Sequence, residues 1–172
     1  MIENYIKAIE KRLRDKTGVK LVEHWNNQVV YADKAKQLYP AAYVDLGSLV
    51  WNNTQTGIKT CQAQITIHCA NKNTRDTDDK APDADGKRLS RFDWPAQVTA
   101  ALDHYSARDE DDNIVIKNML LQSSQMDTNH DALTDDVIIF SALLVYYDTW
   151  HEQYGKEATI ETVTQKRVNE IP

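Results

Sequence analysis

The sequence predicts an α+β fold with a mainly antiparallel β-sheet of about four to five strands and two helices packed on it. Helical periodicity appears in two separate segments, one at the start of the chain and one around Trp94. The segments between and after the helices are rich in β-branched and aromatic residues. Within each of these two regions, a short turn-like stretch separates two predicted strands. This order of elements is typical of an α+β domain, and 172 residues are enough to bury one core.

The two helices are predicted from their apolar spacing. The first helix is expected to end after Thr17, where Gly18 is suited to a helix C-terminus. For the second helix, we expect Asp93 as the N-cap and Pro95 in the first turn. The apolar positions are Ile2, Tyr5, Ile6, Ile9 and Leu13 in the first helix, and Val98, Ala101, Leu102 and Tyr105 in the second.

The first hairpin is predicted from residues 41–51 and 58–70, which the turn-like stretch N-N-T-Q-T-G separates. In the second of these strands, Cys61 and Cys69 lie on one side, and His68 is expected to be exposed on the other. Eight residues of strand place the two cysteines about 26 Å apart, too far for a disulfide within one chain. Both are therefore interpreted as small buried residues in a reducing compartment.

The remaining segments complete the predicted domain organisation. Residues 71–91 have almost no apolar content and are predicted to be a long mobile loop inside a single domain of residues 1–150. Residues 114–126 and 137–150 are predicted to form a second hairpin, with 137–147 as a central strand. Residues 151–172 are more polar and are predicted to be an extended C-terminal arm.

Charge and composition argue against several classes of function. The net charge of −6 makes general attraction to nucleic acid unfavourable. The first residues do not resemble a signal peptide, and no apolar run reaches the about 18 residues that would span a bilayer. We therefore expect a soluble intracellular product that needs neither a membrane nor a specific nucleic acid.

The stretch M-D-T-N-H-D-A-L-T-D-D, residues 126–136, resembles the start of an EF-hand loop, because Asp127, Asn129 and Asp131 alternate. However, Ala132 stands where the loop needs glycine, and Ile138 stands where it needs a bidentate glutamate. A turn between two strands is the favoured interpretation, since Asp and Asn are common turn residues. A looser carboxylate site that uses Asp131, Asp135 or Asp136 stays open.

No catalytic, metal or cofactor motif stands out. The five histidines have no metal-ligand spacing, His68 lies on the opposite side of its predicted strand from Cys69, and no glycine-rich phosphate loop is present. The sequence therefore predicts a protein that is not an enzyme and that has no cofactor. A hydrolase that uses the aspartate clusters is one alternative. Tight binding of a divalent ion would distinguish it from a structural protein.

Several motifs in this order resemble one family. They are the N-terminal amphipathic helix, V-E-H-W-N-N-Q-V, P-A-A-Y-V-D-L, an alternating strand, a W-P helix, and the closing F-S-A-L-L-V-Y-Y-D-T-W. Together they resemble the tail terminator, or tail completion, proteins of long-tailed bacteriophages and the related minor tail and head–tail joining proteins. The resemblance covers roughly residues 1–150 in element order. This chain departs from the family in its longer 71–91 segment and in its tail.

The resemblance implies a structural role in the virion. Such proteins form a ring, usually a hexamer, that caps the tail tube and joins it to the head connector protein. A ring needs a heterologous interface between neighbouring copies. The residues predicted to take part in contacts between copies or with partners are Lys11, Arg12, Arg14, Asp109, Glu110, Asp111, Asp112, Trp150 and Tyr154.

The expected contact pairs the acidic stretch 109–112 with the basic residues of the first helix on a neighbouring copy. Two alternatives stay open: another phage neck or head–tail connector protein, and an acidic binding module such as an immunity-type inhibitor. The protein would be made in the cytoplasm of a host bacterium and would end in the virion.

Overall fold

The computed structural model describes residues 2–26, 38–55, 57–72, 84–127 and 133–148, with only the backbone described for Lys72 and residues 84–92. The described helices are α1 (Ile2–Lys16) and α2 (Ala84–Leu102). The described strands are β1 (Leu21–His24), β2 (Ala41–Asp45), β3 (Asn52–Gln55), β4 (Ile58–Lys72), β5 (Ala107–Arg108), β6 (Ile114–Gln125) and β7 (Leu133–Tyr147).

One sheet contains all seven described strands. Its order is β1-β2-β4-β7-β6-β5, and β3 pairs with part of β4. All pairings are antiparallel except that of β1 with β2, which is parallel. The prediction of an α+β fold with a mainly antiparallel sheet is confirmed, but four to five strands was too few. The missed strands β3 and β5 have four and two residues, too few to show a periodic pattern.

The first hairpin differs from its prediction. The residues Asn52–Gln55, interpreted as a turn, form β3, which pairs with the start of β4. Gly57 follows with φ 78°, a conformation that favours glycine, and a Cβ there would come within 3.2 Å of the Asp148 carbonyl oxygen. Strand β2 does pair with β4, but it ends at Asp45. The side chains of β3 are polar and exposed, so hydrophobic periodicity gave no signal for it.

The predicted loop at 71–91 is also corrected in part. Strand β4 continues to Lys72, and α2 begins at Ala84, so residues 84–91 are helical. Pro95 therefore lies inside the helix instead of in its first turn. The residues from 84 to 91 are mostly polar or small and lack an apolar face, which is why spacing alone placed the start of the helix at Asp93. Residues 73–83 lie outside the described residues.

The core lies between the helices and one face of the β4–β7 pair. The predicted alternation in β4 is confirmed, since every second residue from Cys61 to Cys69 is buried. Strand β7 lies between β4 and β6, as predicted, and places Phe140 opposite Ile65 in this face. The helices contribute Tyr5, Ile9 and Leu13 from α1 and Trp94, Val98 and Leu102 from α2.

Two buried polar groups fasten the helices to the sheet. The Tyr5 hydroxyl donates to the Val145 carbonyl oxygen at 3.0 Å, and the Trp94 indole N–H donates to the Ala41 carbonyl oxygen at 3.2 Å. Burial, with smaller contributions from Cys61 and Tyr146, raises the pKa of Tyr5 to about 12. The phenol therefore stays protonated, and remains a donor, throughout the neutral range.

Both cysteines are free and buried, in agreement with the sequence. Burial, together with the nearby Asp136 and Asp135 carboxylates, raises the pKa of the Cys69 thiol well above its usual value. Because the thiolate is the reactive form, Cys69 is protected both sterically and electrostatically from thiol reagents in the native protein.

Replacement by alanine should destabilise the protein at the buried Ile65 but not at the exposed Gln64 beside it. Ile65→Ala removes a fully buried side chain, and we expect it to lower the free energy of unfolding by about 2–5 kcal/mol. Gln64→Ala, on the opposite face of the same strand, is exposed and should change it by about 0.5 kcal/mol or less. Urea unfolding of both variants measures the difference, and equal effects would contradict this assignment of the two faces.

Stability should fall at alkaline pH because two tyrosines must lose protons they hold tightly when folded. Burial raises the pKa of Tyr5 and of Tyr43 to about 12, above the ordinary 10.0 of the unfolded chain. Their contribution is complete below pH 10 and is lost as the pH rises toward 12. Tyr5→Phe should cost about 1 kcal/mol at pH 7 and should weaken this alkaline slope. Unfolding free energies measured from pH 8 to 12 provide the test, in which parallel curves for the two proteins would contradict the assignment.

Candidate interaction surfaces

A surface groove of about 600 Å³ brings together charges that are far apart in the sequence. Helix α1 lines it with Lys7 and Lys11, whose four-residue spacing places them on one side of the helix. The end of β5 and the turn after it line the other side with Asp109, Glu110 and Asp111. The remaining lining residues are Asn4, Ala8, Arg108 and Val115. We call this feature the charged groove.

The acidic side of the charged groove is a tight turn that Asp109 organises. The Asp109 carboxylate accepts hydrogen bonds from the backbone N–H groups of Asp111 and Asn113, at 3.0 and 2.8 Å. Asp112 adopts a φ of 64°, and its carbonyl oxygen accepts from Arg108 Nη1 at 2.6 Å. Asp109 is thus committed to the turn, whereas Glu110 and Asp111 are exposed and present their charge to solvent.

The three basic residues predicted in α1 have three different environments. Lys11 is exposed and lines the charged groove. Arg12 is half-buried: its Nε donates to the Ala101 carbonyl oxygen at 2.8 Å, and its guanidinium lies 5.1 Å from the centre of the Tyr105 ring. Arg14 pairs with Glu10 one turn earlier on the helix, at 2.8 Å. Lys11 is therefore the predicted basic residue that faces the acidic turn.

Lys7 is a groove residue that the sequence reasoning missed. Its position one turn before Lys11 was the signal that could have identified it. The Glu3 carboxylate, 2.6 Å from the Lys7 ammonium, raises the pKa of Lys7, and the more distant charges of Glu10 and Glu110 act in the same direction. Trp150 and Tyr154, also predicted as interface residues, lie outside the described residues.

A second polar cluster lies on the other face of the sheet. The imidazole Nδ1 of His68 is 3.0 Å from Asp135 Oδ2, and its ring stacks on Trp25 with ring centres 3.6 Å apart. The His68 side chain is only 14% exposed, so the prediction of an exposed histidine was wrong. Strand alternation correctly placed His68 away from the main core, but it could not indicate that Trp25 covers it.

The acidic stretch 126–136 runs from the end of β6 into the start of β7: β7 begins at Leu133, earlier than predicted, so Asp135 and Asp136 lie in the strand, and residues 128–132 lie outside the described residues. Its two ends are tied together by reciprocal bonds. The Asp127 N–H donates to Asp136 Oδ1 at 2.8 Å, and the Asp135 N–H donates to Asp127 Oδ2 at 3.1 Å. These carboxylates satisfy backbone donors, and within the described part of the chain no three His, Cys, Asp or Glu side chains form a group that could hold a metal ion.

Comparisons with known proteins identify a distant structural likeness. No protein-family model matches the chain, and no curated protein matches it. Among solved structures, it is similar to a chain of the "virion of native gene transfer agent (GTA) particle", with 12% sequence identity and a TM-score of 0.45. The match covers 81% of this chain and 92% of that chain. We therefore infer the function from the surfaces of this protein.

Among the described residues, no helix is both long enough and apolar enough to cross a membrane.

Arg12 and Lys11 should behave differently when truncated. Arg12→Ala removes the bond to the Ala101 carbonyl oxygen and the contact with the Tyr105 ring, and we expect it to lower the free energy of unfolding by about 1–2 kcal/mol. Lys11→Ala removes an exposed charge and should change it by about 0.5 kcal/mol or less. Urea unfolding of the two variants checks this, and an Arg12 variant as stable as the Lys11 variant would refute a structural role for Arg12.

Proposed function

We propose that this protein is a structural subunit of a tailed bacteriophage or phage-like particle. In the finer form of the proposal, it is a tail terminator or tail completion subunit that forms a ring, caps the tail tube and joins it to the head connector protein. It would act without a cofactor and without catalysis. It would be made in the host cytoplasm and incorporated into the virion.

The observation that carries this proposal is the charged groove. Lys7 and Lys11 of α1 lie on one side, and the exposed Glu110 and Asp111 lie on the other. A neighbouring copy that docks here meets both signs of charge at defined positions, which favours one orientation of docking over others. Contacts of this kind suit a heterologous interface, in which different patches of two copies meet and the chain of contacts closes into a ring.

The resemblance to the tail terminator family supports the proposal. The described parts of its motifs lie on α1, β1, β2, β4, α2 and the β6–β7 pair. The same surface would also suit another neck or head–tail connector protein, because both roles require repeated contacts between copies. The two roles differ in the partner bound, which is the tail tube protein for a terminator.

Self-assembly is the primary test. We expect the molar mass in solution to rise with protein concentration from 19.7 kDa toward about 118 kDa, the mass of six copies, with rings visible by electron microscopy. Because exposed charges are screened, the assembly should weaken as salt increases. A single 19.7 kDa species at every concentration would contradict the proposal.

Charge reversal tests the groove itself. Lys11→Glu should weaken assembly about tenfold, and so should Asp111→Lys, because each places like charges against the same partner surface. Combining the two reversals in one chain should weaken assembly further, because in a heterologous contact each residue meets a different group on the neighbour and neither reversal compensates the other. Lys16→Glu, an exposed residue of α1 that does not line the groove, is the matched control. If the three groove variants assemble as well as the Lys16→Glu control, the charged groove is excluded as the interface.

A further inference from the structure

The free edge of β6 is a second surface that is suited to binding a partner. On one side β6 pairs with β7 as far as Gln125. On the opposite side β5 pairs only with Ile114 and Ile116, and the segment 103–106 bonds the backbone of residues 118, 119 and 121. Beyond this point, residues 122–125 have no neighbouring strand on this second side among the described residues. Backbone donors and acceptors along such an edge are a template for another strand.

This edge carries neither charge nor proline, two common guards against strand addition, although its pairing with β7 shifts register between Lys117 and Leu120 and between Leu121 and Ser123. Proteins commonly guard an open edge with charged residues or proline. Residues 118–126 contain neither. The nearest charged residues are Lys117, directly before this stretch, and Asp127, directly after it. The large apolar side chains along this stretch are exposed: Leu120 by 36%, Leu121 by 40% and Met126 by 52%. The described outer strand β3, by contrast, carries only polar exposed side chains. An uncharged edge with exposed apolar groups is typical of a surface that a partner covers.

The occupant is suggested by the 24 residues that follow Asp148 in this sequence. Within them, A-T-I-E-T-V-T, residues 158–164, contains five threonine, isoleucine or valine residues and one charge, a composition that favours a strand. Fully extended, the 24 residues reach about 80 Å at about 3.3 Å per residue. The segment is therefore long enough to leave its own domain and still place a strand on another.

Geometry favours the edge of a second copy over the edge of the same chain. Strand β7 ends beside Asp148, whereas Gln125 pairs with Val137, about 36 Å back along β7. To reach its own edge, the segment would have to reverse direction, pass β5 and the segment 103–106, and pair parallel to β6. Parallel pairing is slightly weaker per residue than antiparallel pairing. On a second copy the segment can approach the edge directly and in the antiparallel direction.

We propose that residues 158–164 of one copy add as a strand to β6 residues 122–125 of another copy. This inference rests on the proposed self-assembly and specifies how the copies are linked. The backbone ladder provides the attraction, and the apolar side chains of Leu120, Leu121 and Met126 are partly covered. The charged groove and this edge would then be two separate contacts, the first sensitive to salt and the second largely insensitive.

Hydrogen–deuterium exchange of the full chain, together with molar mass at the same concentrations, tests the inference. We expect the amides of residues 122–125 and of residues 158–164 to become protected together as the mass rises. Protection that is already complete in the monomer, and independent of concentration, would overturn the second-copy assignment in favour of contact within one chain.

Two pairs of variants sharpen the test. Val163→Pro removes a backbone donor from the added strand, and Leu121→Lys places a charge on the edge. Each should weaken association about tenfold or more. Their controls are Gln153→Pro, outside residues 158–164, and Asn53→Lys, on the exposed strand β3, and both should associate within about twofold of the unmodified chain. Circular dichroism confirms that each variant folds.

The outcomes separate this inference from the proposed function. Normal assembly of Val163→Pro would overturn the inference and leave self-assembly intact. Weakening by Leu121→Lys alone would also overturn it, since it would indicate direct contact between two β6 edges. If the unmodified chain stays monomeric to the order of 1 mM, a peptide of residues 156–168 is added to the Val163→Pro chain. Protection of residues 122–125 by this peptide would support strand addition while contradicting self-assembly, and no protection would overturn both.

Discussion

The antiparallel pairing of β4 with β7 is the constraint on which the rest of the structure depends. The two strands match residue for residue from Ile58 with Tyr147 to Lys72 with Leu133, so a shift by one position would turn every core side chain toward the other face. Every other strand attaches to this pair directly or through one neighbour. Because one face of the pair is continuously apolar, both helices must pack there. Their placement in turn decides which charged residues can meet.

The helices are fixed by side chains that combine an apolar body with a polar tip. Tyr5 and Trp94 fill the core with their rings and bond to strand carbonyl oxygens, and Arg12 ties α1 to the end of α2. These contacts set the rotation of α1 about its own axis. With Tyr5 and Arg12 turned inward, Lys7 and Lys11 are left facing the turn that follows β5. The charged groove is thus a consequence of how the helix is anchored.

Much of the fold could be predicted from the sequence because burial imposes regular spacing on long elements. The alternation along β4 and the helical spacing of Tyr5, Ile9 and Leu13 were readable for that reason. Short or polar elements show no regular apolar spacing, which is why β3 and the first turns of α2 were missed. The candidate site was only partly predictable. The acidic turn and Lys11 were identified, but sequence gives no measure of which side chains lie across from one another in space.

By itself, the sequence determined the class of fold, the central position of β7, the burial of both cysteines and the antiparallel pairing of β6 with β7. These follow from local spacing and from residue chemistry, which act over a few neighbouring positions. Tertiary structure alone decided that Arg12 points inward while Lys11 points out, that Trp25 covers His68, and that part of the β6 edge lacks a strand beside it. Each of these depends on residues far apart in the chain, and only the packing of helices on the sheet brings them into contact.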